Sequence, residues 1–138
     1  MKICVYAIAK NEEKFVNRFV DAAAAADCIC VLDTGSEDGT VQLLEDRGVT
    51  VRQEVIDPWR FDEARNRSME LIPADTDIAV SVDLDEVLSK GWREQLESAW
   101  KEDTELARIT CVTSRNGDGS PGTCFLIGKA HKPGLFRW

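Results

Sequence analysis

The chain has 138 residues, of which 43% are hydrophobic and 30% are charged, and its formal net charge is −8. This length suffices for one domain with one hydrophobic core, and the composition is typical of a globular protein. The acidic balance argues against nucleic-acid binding, which normally requires a basic face. No stretch approaches the roughly 20 apolar residues of a membrane span. We therefore expect a single domain over residues 1–138, with no nucleic-acid partner and no membrane span.

The first half of the chain alternates between patterns typical of strands and of helices. An apolar run over residues 3–9 predicts a strand that is buried on both faces. No small-residue cleavage site follows it, which favours a cytoplasmic protein over a secreted one. Apolar residues then recur at helical spacing over residues 15–23, with Asn11 as the predicted N-cap. A second strand over residues 29–32 and a short helix that ends at Gly48 follow.

The remaining predicted elements continue this alternation. They are a strand at 49–55, a helix at 61–72, a strand at 78–82, a helix at 92–100, and strands at 107–112 and 124–127. Three successive strand–helix units argue for an α/β domain with a mainly parallel sheet flanked by helices. The crossovers between its parallel strands should be right-handed.

The five cysteines do not indicate a disulfide framework. They are Cys4, Cys28, Cys30, Cys111 and Cys124. An odd number without a signal peptide argues against structural disulfides. Cys28 and Cys30 share one face of a strand, but their separation is not that of a zinc site. We expect buried thiols that pack as small hydrophobic side chains.

Polar residues follow three of the predicted strands. The first strand runs into Ala9 and Glu12, the second into Asp33, and the fourth into Asp83 and Asp85. Ligands of an open parallel sheet bind outside the carboxyl ends of its strands. These side chains are therefore predicted to meet at one edge of the sheet.

Asp83 and Asp85 are candidate metal ligands. Two carboxylates one residue apart, directly after a buried strand, repel each other and resist desolvation. A hard divalent cation relieves both problems and can bridge the protein to a diphosphate. An acidic protein that binds phosphate also needs such local positive charge.

Three other residues keep two interpretations each. Asp33 either caps a turn or accepts hydrogen bonds from a nucleobase or ribose. Arg65 either reaches a phosphate or base, or belongs to a solvated helix face with Arg–Glu pairs. His131, the only histidine, is more often structural than catalytic in such a position.

Four sequence blocks together resemble family 2 glycosyltransferases with the GT-A fold, which is Rossmann-like. They are Ile-Ala-Lys-Asn-Glu-Glu at 8–13, Leu-Asp-Thr-Gly-Ser-Glu-Asp-Gly-Thr at 32–40, Ala-Arg-Asn at 64–66 and Val-Asp-Leu-Asp-Glu at 82–86. The resemblance covers residues 1–100. It implies a nucleotide-diphospho-sugar donor, either a UDP-sugar or a GDP-sugar. It places Ala9 and Glu12 near the nucleobase, and Asp33 in contact with the base or ribose.

The same resemblance implies roles for the metal motif. Arg65 helps hold the nucleotide, Asp83 lies by the ribose and the metal, and Asp85 is the direct ligand of Mn²⁺ or Mg²⁺. The reaction is expected to invert the anomeric centre, with a carboxylate from the later half of the domain as general base. Residues 101–138 resemble the lead-in to that acceptor region. We expect the fold to be truncated at its C-terminal side and the base to lie outside the chain, and the acceptor is not predicted.

Two alternatives remain at this level. Residues 82–88 also fit the first motif of haloacid-dehalogenase-like phosphatases, with Asp83 as nucleophile and Asp85 as general acid/base. That motif usually opens its domain, whereas 82 residues precede Asp83 here. The other alternative is a non-catalytic nucleotide-binding module. A dinucleotide-dependent oxidoreductase is disfavoured because no Gly-x-Gly-x-x-Gly follows the first strand.

Overall fold

The computed structural model describes all 138 residues and contains six strands and four helices. In chain order they are β1 (Ile3–Ala9), α1 (Glu13–Ala23), β2 (Cys28–Asp33), α2 (Thr40–Asp46), β3 (Thr50–Gln53), α3 (Phe61–Met69), β4 (Ile78–Ser81), α4 (Trp92–Ala99), β5 (Leu106–Val112) and β6 (Cys124–His131). The predicted alternation of strands and helices is confirmed. None of the four helices is long and apolar enough to cross a membrane.

All six strands form one sheet, in the order β3-β2-β1-β4-β6-β5. The first four strands in this order are parallel, whereas β6 runs antiparallel to both of its neighbours. The predicted α/β fold with a mainly parallel sheet is therefore confirmed. The register pairs Ala9 with Asp33 and Tyr6 with Ser81. The carboxyl ends of β1, β2 and β4 consequently lie at the same edge of the sheet.

The central strands β1 and β4 are buried on both faces because helices cover each side of the sheet there. The larger core contains side chains from β1 and β4 and the apolar stripe of α1. That stripe consists of Val16, Phe19, Val20 and Ala23, which match the predicted helical spacing. A smaller cluster on the opposite face packs β1 and β2 against the end of α3. β1 lies at the centre, and six of its seven residues are buried.

Strand pairing explains where the observed elements differ from the predicted ones. β3 ends at Gln53 rather than at residue 55 because its partner β2 ends at Asp33, which lies opposite Gln53. β6 continues to His131 rather than stopping at residue 127 because β4 offers partners as far as that residue. The period of apolar residues cannot show either limit, since both depend on the neighbouring strand.

The predicted N-cap at Asn11 is wrong. Glu12 occupies the cap position of α1, and its side chain forms no capping hydrogen bond. Asn11 instead has a positive φ of 53° and accepts a hydrogen bond from the Glu37 backbone N–H at 2.7 Å through Oδ1. Its own N–H donates to Ser36 Oγ at 2.8 Å. Asn11 therefore joins the loop after β1 to the loop after β2, and both loops border the edge where the carboxyl ends meet.

Replacing Asn11 tests this junction. Asn11→Gly loses the side-chain hydrogen bond, but glycine tolerates the left-handed backbone. Asn11→Ala loses the same hydrogen bond and also disfavours this backbone conformation. We expect the free energy of unfolding to fall by about 1 kcal/mol more in Asn11→Ala than in Asn11→Gly, measured by urea denaturation. Equal free energies of unfolding of the two variants would contradict a cost of the left-handed backbone at position 11.

Candidate functional site

Three acidic side chains face one another at the carboxyl edge of the sheet. Glu12 follows β1, and Asp83 and Asp85 follow β4. Burial raises the pKa of Glu12 above its ordinary value, and the charge of Asp85 and then that of Asp83 raise this pKa further. Asp85 is exposed, and its carboxylate accepts no hydrogen bond and forms no ion pair within the chain. The fold therefore brings these carboxylates together at one edge of the sheet, as the sequence predicted.

Arg65 is the counterion of this cluster. It belongs to α3, is only 3% exposed, and donates from Nη2 to Asp83 Oδ1 and from Nη1 to Ser81 Oγ, the latter at 3.1 Å. The guanidinium lies 5.0 Å from the centroid of the Phe61 ring and 5.5 Å from that of Trp138. The solvated-face alternative for Arg65 is wrong, because the side chain is buried. The ion pair fixes one oxygen of Asp83 and leaves Oδ2 without a protein partner.

The turn that carries the two aspartates is fixed by Glu86 of the same motif and by two basic residues that sequence patterns did not indicate. Glu86 accepts a hydrogen bond from the Asp83 N–H at 2.8 Å and forms an ion pair with Lys129 at 2.7 Å. Arg18 donates to the Asp85 carbonyl oxygen at 2.9 Å. Lys129 and Arg18 lie far from the motif in sequence, and no local pattern identifies them. Their basic side chains on β6 and α1 hold the acidic turn in place.

Asp33 is fully buried and organises its own loop. Oδ1 accepts hydrogen bonds from the N–H groups of Gly35 at 3.0 Å and Ser36 at 2.9 Å, and Oδ2 accepts one from the Ser36 hydroxyl. These contacts are those of the turn-capping alternative. Ala9, its partner in the sheet, is also buried and accepts a hydrogen bond from the Thr34 N–H at 2.9 Å. Contacts of Ala9 and Asp33 with a nucleotide stay a prediction.

His131 closes a buried hydrogen-bonded chain beside the Arg65 pair. Its Nδ1 lies 3.1 Å from the carbonyl oxygen of Lys132 and therefore carries the proton, so that Nε2 accepts from the Tyr6 hydroxyl at 2.8 Å. The indole N–H of Trp138 donates to the same hydroxyl at 3.4 Å. Burial lowers the pKa of His131. These contacts fit the structural role that is usual for a lone histidine.

The exposed oxygens at this edge fit a hard divalent cation. Asp85 offers a free carboxylate and Asp83 offers Oδ2, and oxygen is the ligand that Mg²⁺ and Mn²⁺ prefer. The only group of three potential ligand atoms that lie close together consists of cysteines elsewhere in the chain. A cation here would thus have one or two protein ligands, with the rest of its shell completed by phosphate and water, as is usual for Mg²⁺.

Comparisons with known proteins identify the family. The profile of Glycosyl transferase family 2 matches residues 4–126, a range that includes every candidate residue at this edge. The chain belongs to glycosyl transferase family 2. Among curated proteins, none matches the sequence. The family resemblance and the GT-A-type α/β fold that the sequence predicted are confirmed.

Similar solved structures include several of glucosyl-3-phosphoglycerate synthase from Mycobacterium tuberculosis. Its complex with UDP has a TM-score of 0.62 and 26% identity, over 76% of this chain and 42% of that one. Its complex with Mn²⁺, UDP and phosphoglyceric acid has a TM-score of 0.60 and 26% identity, over 76% and 41% of the two chains. Its complex with Mn²⁺, UDP-glucose and phosphoglyceric acid has a TM-score of 0.52 and 29% identity, over 61% and 33%. This family 2 chain thus spans less than half the length of these relatives.

The family assignment bears on the alternatives. Nothing in the comparisons supports the phosphatase interpretation of Asp83 and Asp85.

The two aspartates should differ in their contribution to stability. Asp83→Asn removes the charge that compensates the buried Arg65, whereas Asp85→Asn removes a charge with no partner. We expect Asp83→Asn to lower the free energy of unfolding by about 1–3 kcal/mol, less than for a fully buried pair because the Asp83 side chain is 39% exposed. Asp85→Asn should lie within about 0.5 kcal/mol of wild type. Urea denaturation measures both values, and the reverse order would contradict the pairing.

The buried His131 predicts a pH dependence of stability. Because its folded-state pKa lies below the value of about 6.5 in the unfolded chain, protonation favours unfolding. The stability that neutral His131 contributes is fully present above that pH and declines as the pH falls toward the lowered pKa. The difference in unfolding free energy between wild type and His131→Gln should therefore decrease from about pH 7.5 to about pH 5. If this difference in unfolding free energy did not change with pH, His131 would have the same pKa in the folded and unfolded chain.

Proposed function

We propose that this chain binds the UDP-sugar donor of a metal-dependent glycosyltransferase and presents the sugar for transfer to an acceptor hydroxyl with inversion. The observation that carries the proposal is the unpaired, exposed carboxylate of Asp85 beside the half-paired Asp83, at the carboxyl edge of a parallel sheet in a family 2 chain. UDP rather than GDP is favoured because the similar solved structures contain UDP or UDP-glucose.

The charge balance at the edge supports donor binding through a cation. The protein has a net charge of −8, and a nucleoside diphosphate adds further negative charge next to Glu12, Asp83 and Asp85. Mn²⁺ or Mg²⁺ held by the two aspartates would link the protein to the diphosphate and offset the charge that develops on the leaving group. Similar solved structures that contain Mn²⁺ together with UDP favour Mn²⁺.

The chain's own residues then have separate tasks. Arg65 holds Asp83 in one orientation, so that Oδ2 faces away from the ion pair and stays available. Asp33 fixes the loop after β2 through its hydrogen bonds to Gly35 and Ser36, and this loop borders the proposed position of the base and ribose. Glu12 and Ala9, at the end of β1, border the same position. A site whose ligands are held by such contacts before the donor arrives loses less entropy on binding.

Calorimetric titration with UDP tests the proposal. We expect wild-type protein to bind UDP in the presence of Mn²⁺ and to lose this binding in EDTA, with GDP bound more weakly. Asp85→Asn should weaken Mn²⁺-dependent binding of UDP at least tenfold without loss of stability. Asp75→Asn is the matched control, because it removes an exposed carboxylate that pairs with Lys2 at the amino end of β1. This control should bind UDP as tightly as wild type.

The outcomes of these titrations distinguish a metal-dependent glycosyltransferase from a non-catalytic nucleotide-binding module. Equal affinity of Asp85→Asn and wild type would exclude Asp85 as the metal ligand. Binding of UDP that does not depend on Mn²⁺ would exclude the cation-mediated site. Metal-dependent binding without transfer or hydrolysis of any UDP-sugar would favour the non-catalytic nucleotide-binding module.

A further inference from the structure

Three cysteine thiols meet on the face of the sheet that α3 covers. Cys4 in β1 lies directly opposite Cys28 in β2, and Cys30 is two residues further along the same strand. Since side chains alternate along a strand, all three project to one face. The sulfur atoms of Cys4 and Cys30 are 3.6 Å apart, and all three lie within 4.8 Å of one another. The sheet register therefore creates a cluster that the spacing of Cys28 and Cys30 alone does not show.

The size of this triangle suits a metal ion bound by sulfur. Three atoms no more than 4.8 Å apart lie within about 2.8 Å of a common centre, whereas a Zn–S bond is about 2.3 Å long. Movements of about half an ångström would thus bring every sulfur into bonding distance. Rotation about the side-chain torsions supplies such movements without a change in the backbone.

The surroundings of the thiols are apolar on one side of the cluster and partly open to solvent on the other. Cys4 and Cys30 are buried, and Met69, Leu71 and other apolar residues around the end of α3 pack over them, which excludes water from that side. Cys28 is only half-buried and leaves an opening through which an ion can enter. Lys2 lies close enough for its ammonium group to interact with the charge of Cys28. This ammonium would offset part of the single negative charge that three thiolates leave on a divalent cation.

We propose that Cys4, Cys28 and Cys30 bind one thiophilic cation of the Zn²⁺ type, with water as the fourth ligand on the open side next to Cys28. Thiolates select soft or borderline ions and discriminate against Mg²⁺ and Mn²⁺. The cluster lies near the start of β1, five residues before Ala9, which corresponds to about 16 Å along the strand. It is therefore a separate site from the acidic edge, and it ties β1 to β2 at the amino end of the sheet.

Cd²⁺ serves as a spectroscopic probe because its thiolate complexes absorb in the ultraviolet. The reduced full chain should carry Cys124→Ser in every sample, which removes the exposed thiol that is not part of the cluster. We expect one Cd²⁺ per chain, with an absorption that corresponds to three thiolates, and competition by Zn²⁺ but not by Mn²⁺. Zn²⁺ should also raise the midpoint of thermal unfolding by several degrees, since it binds the folded cluster more tightly than the separate thiols of the unfolded chain.

Cys28→Ser is the main test variant, because this half-buried position tolerates the change better than the two buried ones. It should weaken Cd²⁺ binding at least tenfold and remove the effect of Zn²⁺ on unfolding. Cys111→Ser is the matched control and should behave as the parent does. Binding of Cd²⁺ that is equal in Cys28→Ser and the parent, or absent from the parent, would overturn the proposal. UDP binding measured with Mn²⁺ should be unchanged in Cys28→Ser, so that failure of one site is distinguishable from failure of the other.

Discussion

The central position of β1 is the constraint on which the rest of this structure depends. It pairs with β2 on one side and β4 on the other, and its side chains fill cores on both faces of the sheet. Because β1, β2 and β4 are parallel, whatever follows them in the sequence emerges at one edge. The candidate site lies at that edge for this reason, although its residues range from Ala9 to Asp85 along the sequence.

The ion pairs at that edge do not neutralise all of its negative charge. Arg65 pairs with Asp83, and Lys129 pairs with Glu86, but Asp85 has no partner. Burial raises the pKa of Glu12, and the charges of Asp85 and Asp83 raise it further. Like charges that are held close together repel one another unless a ligand compensates them. The arrangement is thus more readily explained by binding of a cation and a phosphate group than by stability.

The opposite end of the sheet shows a different chemistry. There the same parallel pairing of β1 and β2 brings together three sulfur atoms under an apolar cover. Oxygen ligands at the carboxyl edge and sulfur ligands near the amino edge select different classes of cation. The carboxylates that follow β4 and the thiols of β1 and β2 thus form two chemically distinct environments in one sheet, and ions of one class are not expected to compete for the other.

The sequence by itself determined the element order, the mainly parallel sheet and the carboxylates at the strand ends, because apolar periodicity and strand-end position are local properties. Its motifs also determined the family. Only the tertiary structure decided that Arg65 is buried against Asp83, that Asn11 joins two loops instead of capping a helix, and where β3 and β6 end. It also decided that Cys4 joins Cys28 and Cys30. Each of these depends on a partner distant in sequence, and the register of neighbouring strands, which no local pattern encodes, selects that partner.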